Sequence, residues 1–212
     1  MSDHPLAALL DAAAAGKFPD PDGSVTVLPP ISARYAGVFA FTAHTVICTE
    51  ADPGWVREQL PAGDLSAPAL PPFLVALGAR TGRRINSMDM VCAAPAQAGP
   101  PRIPLDPLAT ANHPRVARAL RYRDDVRAWQ ADGGVVLIGR GVAGRWEVAV
   151  EVDPARRSQG LGRELALAAR HLPPGGATLW AQVAPGNAAS VRAFLAAGFG
   201  PVGCEILLMP PA

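Results

Sequence analysis

The chain has 212 residues, long enough for one large α/β domain or two small ones and for a sizeable buried core. Half of its residues are hydrophobic and 17% are charged, which excludes an intrinsically disordered chain. With 19 basic and 18 acidic residues the net charge is +1, so the overall balance does not favour nucleic acid or an acidic membrane face as a partner. Small-molecule chemistry is the remaining expectation.

Among the 19 basic residues only Lys17 is lysine, which, with the abundance of Ala, Gly and Pro, reflects a GC-rich, bacterial genome, so no single arginine carries weight by itself. Cys48, Cys92 and Cys204 are odd in number, far apart and without metal-ligand spacing. They read as small buried hydrophobes in a reduced cytoplasm, with no metal site. Residues 1–11 lack the basic start of a signal peptide, and no stretch approaches the roughly 20 apolar residues of a membrane span. The expected location is cytoplasmic.

In chain order, Ser24 to Leu28, Gly37 to Thr42 and Thr45 to Thr49 are short runs of β-branched and aromatic residues, with Ala43-His44 as a tight turn between the last two. Asp52 followed by Pro53 reads as an N-cap and first helical position, predicting a helix over Trp55 to Leu60 that ends at Pro61. A second helix is predicted from Pro72 through Ala79, stopping before Gly82, and a strand over Ile85 to Ala93. Pro95, Pro100, Pro101, Pro104 and Pro107 then break regular structure and set an expected boundary near residue 105.

Beyond it, His113-Pro114 with Val116, Ala117 and Leu120 predicts a helix whose wet side carries Arg115, Arg118, Arg121 and Arg123. Val126 to Trp129 and Val135 to Ile138 form a hairpin around Asp132-Gly133-Gly134. Trp146 to Val152 alternates as a strand with two unlike faces. From Gln159 the period switches to helical through Leu161, Leu165, Ala168 and Leu172, ending at Pro173-Pro174. Ala177 to Val183 is a strand, Asn187 caps a helix with the stripe Val191, Phe194 and Leu195, Gly198 ends it, and Gly203 to Met209 is the last strand.

The most informative stretch runs from Val152 to Arg163, where a strand passes into a helix with Gly160 and Gly162 at the helix start. The first N–H groups of a helix have no internal partner and the macrodipole adds about half a positive charge there, so the junction binds anions. Glycines let a phosphate approach the backbone, and Arg157 can add charge-assisted hydrogen bonds, although a surface role is equally open to it. A nucleotide P-loop requires G-x-x-x-x-G-K-[ST] and a Rossmann loop requires three glycines spaced differently. Neither is present.

The arrangement resembles the signature [QR]-x-x-G-x-[GA] of the GNAT N-acetyltransferase superfamily, matched by Arg157, Gly160 and Gly162 after a strand ending Val152-Asp153-Pro154. The family's second motif is matched by Asn187 to Ser190, then Phe194, then Gly198-Phe199. The resemblance covers roughly Val126 to Met209. It implies a mixed, mostly antiparallel sheet with flanking helices over 106–212, with 1–105 as an N-terminal α/β extension.

It further implies acetyl-CoA as co-substrate. The backbone of Val150 and Val152 would pair with the pantetheine arm, and the amides of Ser158, Gln159, Gly160, Leu161, Gly162 and Arg163 would hold the pyrophosphate beside Arg157. Asn187 and Ser190 would face the cofactor, while Asn187 as a pure helix cap and the two valines as pure core are the plain alternatives.

In that family a small-molecule or protein amine attacks the thioester directly. A Tyr often acts as acid on the second helix, where this chain has Phe194. The frequent base is a carboxylate on the strand before the loop, where Glu147 and Glu151 stand four residues, about 13 Å, apart on one face. Either can instead be a solvated or salt-bridged strand residue, and water can relay the proton. The implied function is an N-acetyltransferase, monomeric or homodimeric, with an acetyl-CoA-binding regulatory or inactive protein, or a purely structural domain, as alternatives.

Overall fold

The computed structural model describes residues 4–109 and 113–211. They form a mixed α/β protein of six α-helices and ten strands, whose pairings are mostly antiparallel. The chain divides into two compact units: residues up to Met90 together with those from Val202 on, and Val91–Pro201. The proline-rich segment predicted as a boundary lies inside the second unit.

The first unit holds α1 (Pro5–Ala14), β1 (Val25–Leu28), β2 (Ala36–Phe41), β3 (His44–Cys48), α2 (Pro53–Glu58), α3 (Pro71–Thr81) and most of β4 (Arg84–Ala94). Its last strand, β10 (Gly200–Met209), returns from the other unit, giving the order β1-β3-β2-β10. β1 is parallel to β3, whereas β2 is antiparallel to both β3 and β10. The hairpin turn is Thr42-Ala43, one residue earlier than predicted, because His44 already pairs with Phe41. Asp52 caps α2 as expected, accepting from the amides of Gly54 at 2.8 Å and Trp55 at 3.0 Å. Val38, Ile47, Phe73, Leu77, Ile206 and Leu208 centre a core that α2 and α3 close against the strands.

The second unit holds β5 (Asp106–Pro107), α4 (Pro114–Tyr122), β6 (Asp124–Ala131), β7 (Gly134–Arg140), β8 (Trp146–Val152), α5 (Leu161–Ala169), β9 (Leu179–Val183) and α6 (Ala188–Ala196). The order is β9-β8-β7-β6-β5, antiparallel except for the parallel pair β8 and β9. A parallel pair needs a crossover, and α5 provides it. The β6–β7 hairpin turns at Asp132-Gly133, with Gly133 at φ +84°. Gly134 lies beneath α5, where a β-carbon would stand 2.7 Å from Leu165 Cδ1, so that position is restricted to glycine by packing.

α5 is shorter than its apolar repeat. After Ala169 the amides of His171 and Leu172 bond three residues back, to Ala168 and Ala169. The tightening precedes Pro173, whose ring disfavours a helical residue before it.

Candidate functional site

β8 has two unlike faces. Ala149, on the face shared with Glu147 and Glu151, packs with Val116 and Ala119 of α4 and with Ala128 and Leu137. On the opposite face Val152 lies against the start of α5, its Cγ2 3.7 Å from where a β-carbon on Gly162 would sit.

The edges of β8 differ as well. Toward β7 the ladder runs the whole length, from Trp146↔Arg140 to Val152↔Gly134. Toward β9 it pairs Trp146, Glu147 and Val148 with Leu179, Trp180 and Ala181 and goes no further among the described residues. The amide of Asp153 donates to Gly133 O at 2.9 Å, which makes that register pair a hydrogen-bonded one. By the antiparallel alternation Glu151 is the next residue to bond β7, and the N–H and C=O groups of Val152 and Val150 point the other way. They point to the side where β9 has left the ladder. The two carbonyls there meet arginines: Arg157 Nε donates to Val152 O at 3.3 Å and Arg115 Nη2 to Val150 O at 3.4 Å.

The junction predicted to hold phosphate follows. Pro154–Arg156 form a short 3-10 turn, Ser158 and Gly160 have φ of +61° and +85°, and α5 starts at Leu161. A left-handed φ costs a residue with a β-carbon roughly 1–2 kcal/mol, which accounts for glycine at 160. Gly162 has an ordinary helical backbone, and its missing side chain leaves the space between Val152 and Ala193 open. Residues 157–160 and Arg163 are exposed. Gln159 Nε2 donates to Ala155 O, and Arg163 pairs with Glu164 at 2.7 Å. Arg163 N bonds Gly160 O, so Leu161 and Gly162 are the positions whose amides a helix leaves open.

α6 runs past the same spot, with Ala193 Cβ 3.8 Å from the β-carbon position of Gly162. Asn187 Oδ1 accepts from Ser190 N at 3.1 Å and so caps the helix. The far end closes as a Schellman motif, Phe199 N bonding Phe194 O and Gly198 N bonding Leu195 O, with Gly198 at φ +83°. Its customary apolar contact is the edge-to-face pair Phe194–Phe199, ring centroids 5.0 Å apart. Phe194 is thereby a buried packing residue.

The two glutamates of β8 have opposite environments. Glu151 is exposed. Glu147 is 2% exposed, and its carboxylate accepts from Arg123 Nε at 2.8 Å, Arg145 Nε at 2.9 Å and Val142 N at 3.0 Å. Burial by itself raises its pKa, but the charges of Arg145 and Arg123 and these hydrogen bonds outweigh burial and hold the carboxyl below its ordinary value. A β-carbon on Gly141 would overlap this carboxylate. Glu147 is therefore built into the turn before β8, in surroundings that oppose proton uptake.

The helix α4 corrects one expectation from the sequence. Arg118 and Arg121 are on its wet side, but Arg115 and Arg123 are half-buried, while Ala117 and Leu120 are exposed. The buried stripe is Val116 and Ala119; Arg115 stands four residues before Ala119 on that side, and Arg123 follows the helix as its C-cap with extended backbone. Their long side chains carry charge in from a buried stem. Arg123 reaches Glu147, and Arg115 interacts with Glu151. Arg123 Nη2 also donates to Gln182 Oε1 on β9 at 3.1 Å. Arg145 and Gln182 were not singled out from the sequence, Arg115 and Arg123 were read as solvated, and the i, i+4 relation to Ala119 was the available signal for Arg115.

Among the described residues no group of three or more His, Cys, Asp or Glu could hold a metal ion, and no helix is long and apolar enough to cross a membrane.

Residues 115–199 match the model of the acetyltransferase (GNAT) family. Among solved structures, the chain is similar to a GCN5-related N-acetyltransferase from Kribbella flavida, at 21% identity and a TM-score of 0.43 over 66% of this chain and 65% of that one. It is also similar to a GCN5-related N-acetyltransferase from Sphaerobacter thermophilus, at 16% identity and a TM-score of 0.38 over 66% and 57% of the two chains. The likeness thus spans less than two thirds of either relative's length. No curated protein matches the chain in sequence.

Proposed function

We propose that this protein, whose residues 115–199 match the model of the acetyltransferase (GNAT) family, is an acetyl-CoA-dependent N-acetyltransferase. The observation that carries the reading is the open edge of β8, where the polar backbone groups of Val150 and Val152 face a side that β9 no longer occupies. A pantetheine arm carries amides that pair with such an edge as a strand would. The edge leads to the start of α5, where the amides of Leu161 and Gly162, with Gly160 setting the turn, suit a pyrophosphate. Arg157, lightly held on Val152 O, can turn to that phosphate, with Ser158, Gln159 and Arg163 around it. Asn187 and Ser190 join α6 to the same region, in addition to the cap they form.

Acetyl-CoA, when bound, supplies an electrophilic thioester carbonyl. The acceptor amine attacks it directly, and the protein positions both partners and takes the proton released from nitrogen. We assign that proton to Glu151, directly or through one water, because Glu147 is buried and committed to two arginines. With Phe194 packed on Phe199, that position supplies no acid to the departing thiolate. This feature also motivates the competing reading, an acetyl-CoA-binding protein without turnover. The test is calorimetric titration with acetyl-CoA together with thiol release across a broad amine panel. Binding with turnover supports the proposal, binding without turnover supports the competing reading, and absence of binding removes both.

A further inference from the structure

Resting on this reading of β8, we infer that the acceptor amine also carries a carboxylate, and that the guanidinium of Arg115 recognises it.

Arg115 reaches the open edge of β8 and donates to Val150 O at 3.4 Å, beyond the roughly 3.2 Å of a good N–H···O bond. It is thus positioned at the edge but only lightly engaged. The face on which it stands has more guanidinium than carboxylate. Arg115 from α4, Arg123 from its C-cap and Arg145 from the turn before β8 meet Glu147 and Glu151 there, while Arg118 and Arg121 are on the wet side. Glu147 is taken by Arg123 and Arg145, and Arg118 lies over the Tyr122 ring with 5.4 Å to the centroid. Glu151 is the carboxylate left beside Arg115. Burial and the charges of Arg123 and Arg118 destabilise the Arg115 cation, and Glu151 alone acts in the opposite sense. A half-buried cation among like charges gains from an incoming anion, and a planar guanidinium accommodates a carboxylate on two parallel hydrogen bonds.

The anion could belong to the acceptor or to a phosphate of coenzyme A, and the two faces of β8 favour the acceptor. The phosphate-binding features, Gly160, Gly162 and the amides of Leu161 and Gly162, lie with α5 and α6 on the Val152 face. Arg115 comes from α4, on the face of Ala149 and Glu151. An amine bearing a carboxylate would present its nitrogen near Glu151 while Arg115 holds its acid group. Val150 O, released by Arg115, would then be free for the pantetheine arm, so acetyl-CoA and acceptor would favour each other's binding.

The experiment uses the full chain with saturating acetyl-CoA and a panel of free amino acids and small amino acids such as β-alanine, each paired with its carboxamide. Both thiol release and calorimetric binding to protein loaded with coenzyme A are measured. At least one acid is expected to exceed its carboxamide by about tenfold or more in kcat/KM or affinity. Arg115→Gln should abolish that preference without weakening acetyl-CoA binding, since it also frees Val150 O, Arg115→Lys should retain part of the preference, and the exposed control Arg121→Gln all of it. Near-UV circular dichroism and Tm of each variant report on folding. The inference is overturned if carboxamides serve as well as acids, if Arg115→Gln weakens acetyl-CoA and leaves the preference intact, or if no member of the panel binds or reacts. In that last case, turnover with polyamines or peptide amines would leave the acetyltransferase reading standing alone.

Discussion

Replacing Glu147 tests the division of labour between the two strand carboxylates. Its side chain is 2% exposed, and those of Arg145 and Arg123 are 3% and 12% exposed. Glu147→Ala leaves two guanidiniums facing a buried void and orphans the amide of Val142. Removing one partner from a buried ion pair costs about 3–5 kcal/mol. For a chain of this size each kcal/mol moves Tm by about 2–4 °C, so a loss of about 6–20 °C is expected. Glu147→Gln keeps the shape and one acceptor and should fall between the two. The pH dependence has a definite sign. Because the folded carboxyl lies below its ordinary value of 4.5, its contribution is fully present above that value and is lost as pH falls through the folded pKa. The Tm gap between wild type and Glu147→Gln should therefore be constant near neutrality and narrow as pH falls below the ordinary value of 4.5. Thermal unfolding by circular dichroism from pH 3 to 8, with activity at matched pH, is the assay. A Glu147→Gln protein with wild-type Tm and abolished kcat would refute the structural assignment and make Glu147 the base.

The other predictions concern the site directly. Glu151→Gln should lower kcat by about 10²–10⁴-fold with little change in Tm or acetyl-CoA affinity, as expected for an exposed general base; unchanged kcat across pH would transfer the role to water. Gly160→Ala should weaken acetyl-CoA binding through the strain of its left-handed φ of +85°, whereas Gly162→Ala should fold normally because its new methyl would meet Val152 and Ala193 at 3.7 and 3.8 Å. Gly162→Ile should fill that space, and calorimetry should register the loss of binding. Asn187→Ala should cost about 1 kcal/mol as a lost cap. An acetyl-CoA Kd that rises well beyond the change in stability would show the second role, and an unchanged Kd would leave Asn187 a cap only.

Several of these elements were legible in the sequence because they depend on local rules. The strand Trp146–Val152, the caps Asp52 and Asn187, and the Gly198 terminus follow from alternation, side-chain oxygens at helix starts, and a left-handed glycine. What was not legible depends on partners distant in sequence. Arg115 and Arg123 read as solvated because their heads are charged, and only the glutamates of β8, about 24 residues or more away in the chain, show why they turn inward. Alternation along β8 likewise puts Glu147 and Glu151 on one face but cannot say that the first is sealed beneath Arg145 and the second left wet. The proline-rich segment reads as a boundary because it interrupts local structure, while the division at Met90 reflects the return of β10 to β2.

The central claim is that acetyl-CoA lies along the open edge of β8 with its pyrophosphate at the start of α5. Site-resolved amide hydrogen exchange with and without acetyl-CoA addresses it most directly, since the N–H groups of Val150 and Val152 face the edge that β9 has left. The account predicts added protection at Val150, Val152, Leu161 and Gly162 and little change at Glu151, whose amide faces β7. Unchanged exchange at all four positions under saturating acetyl-CoA would contradict it.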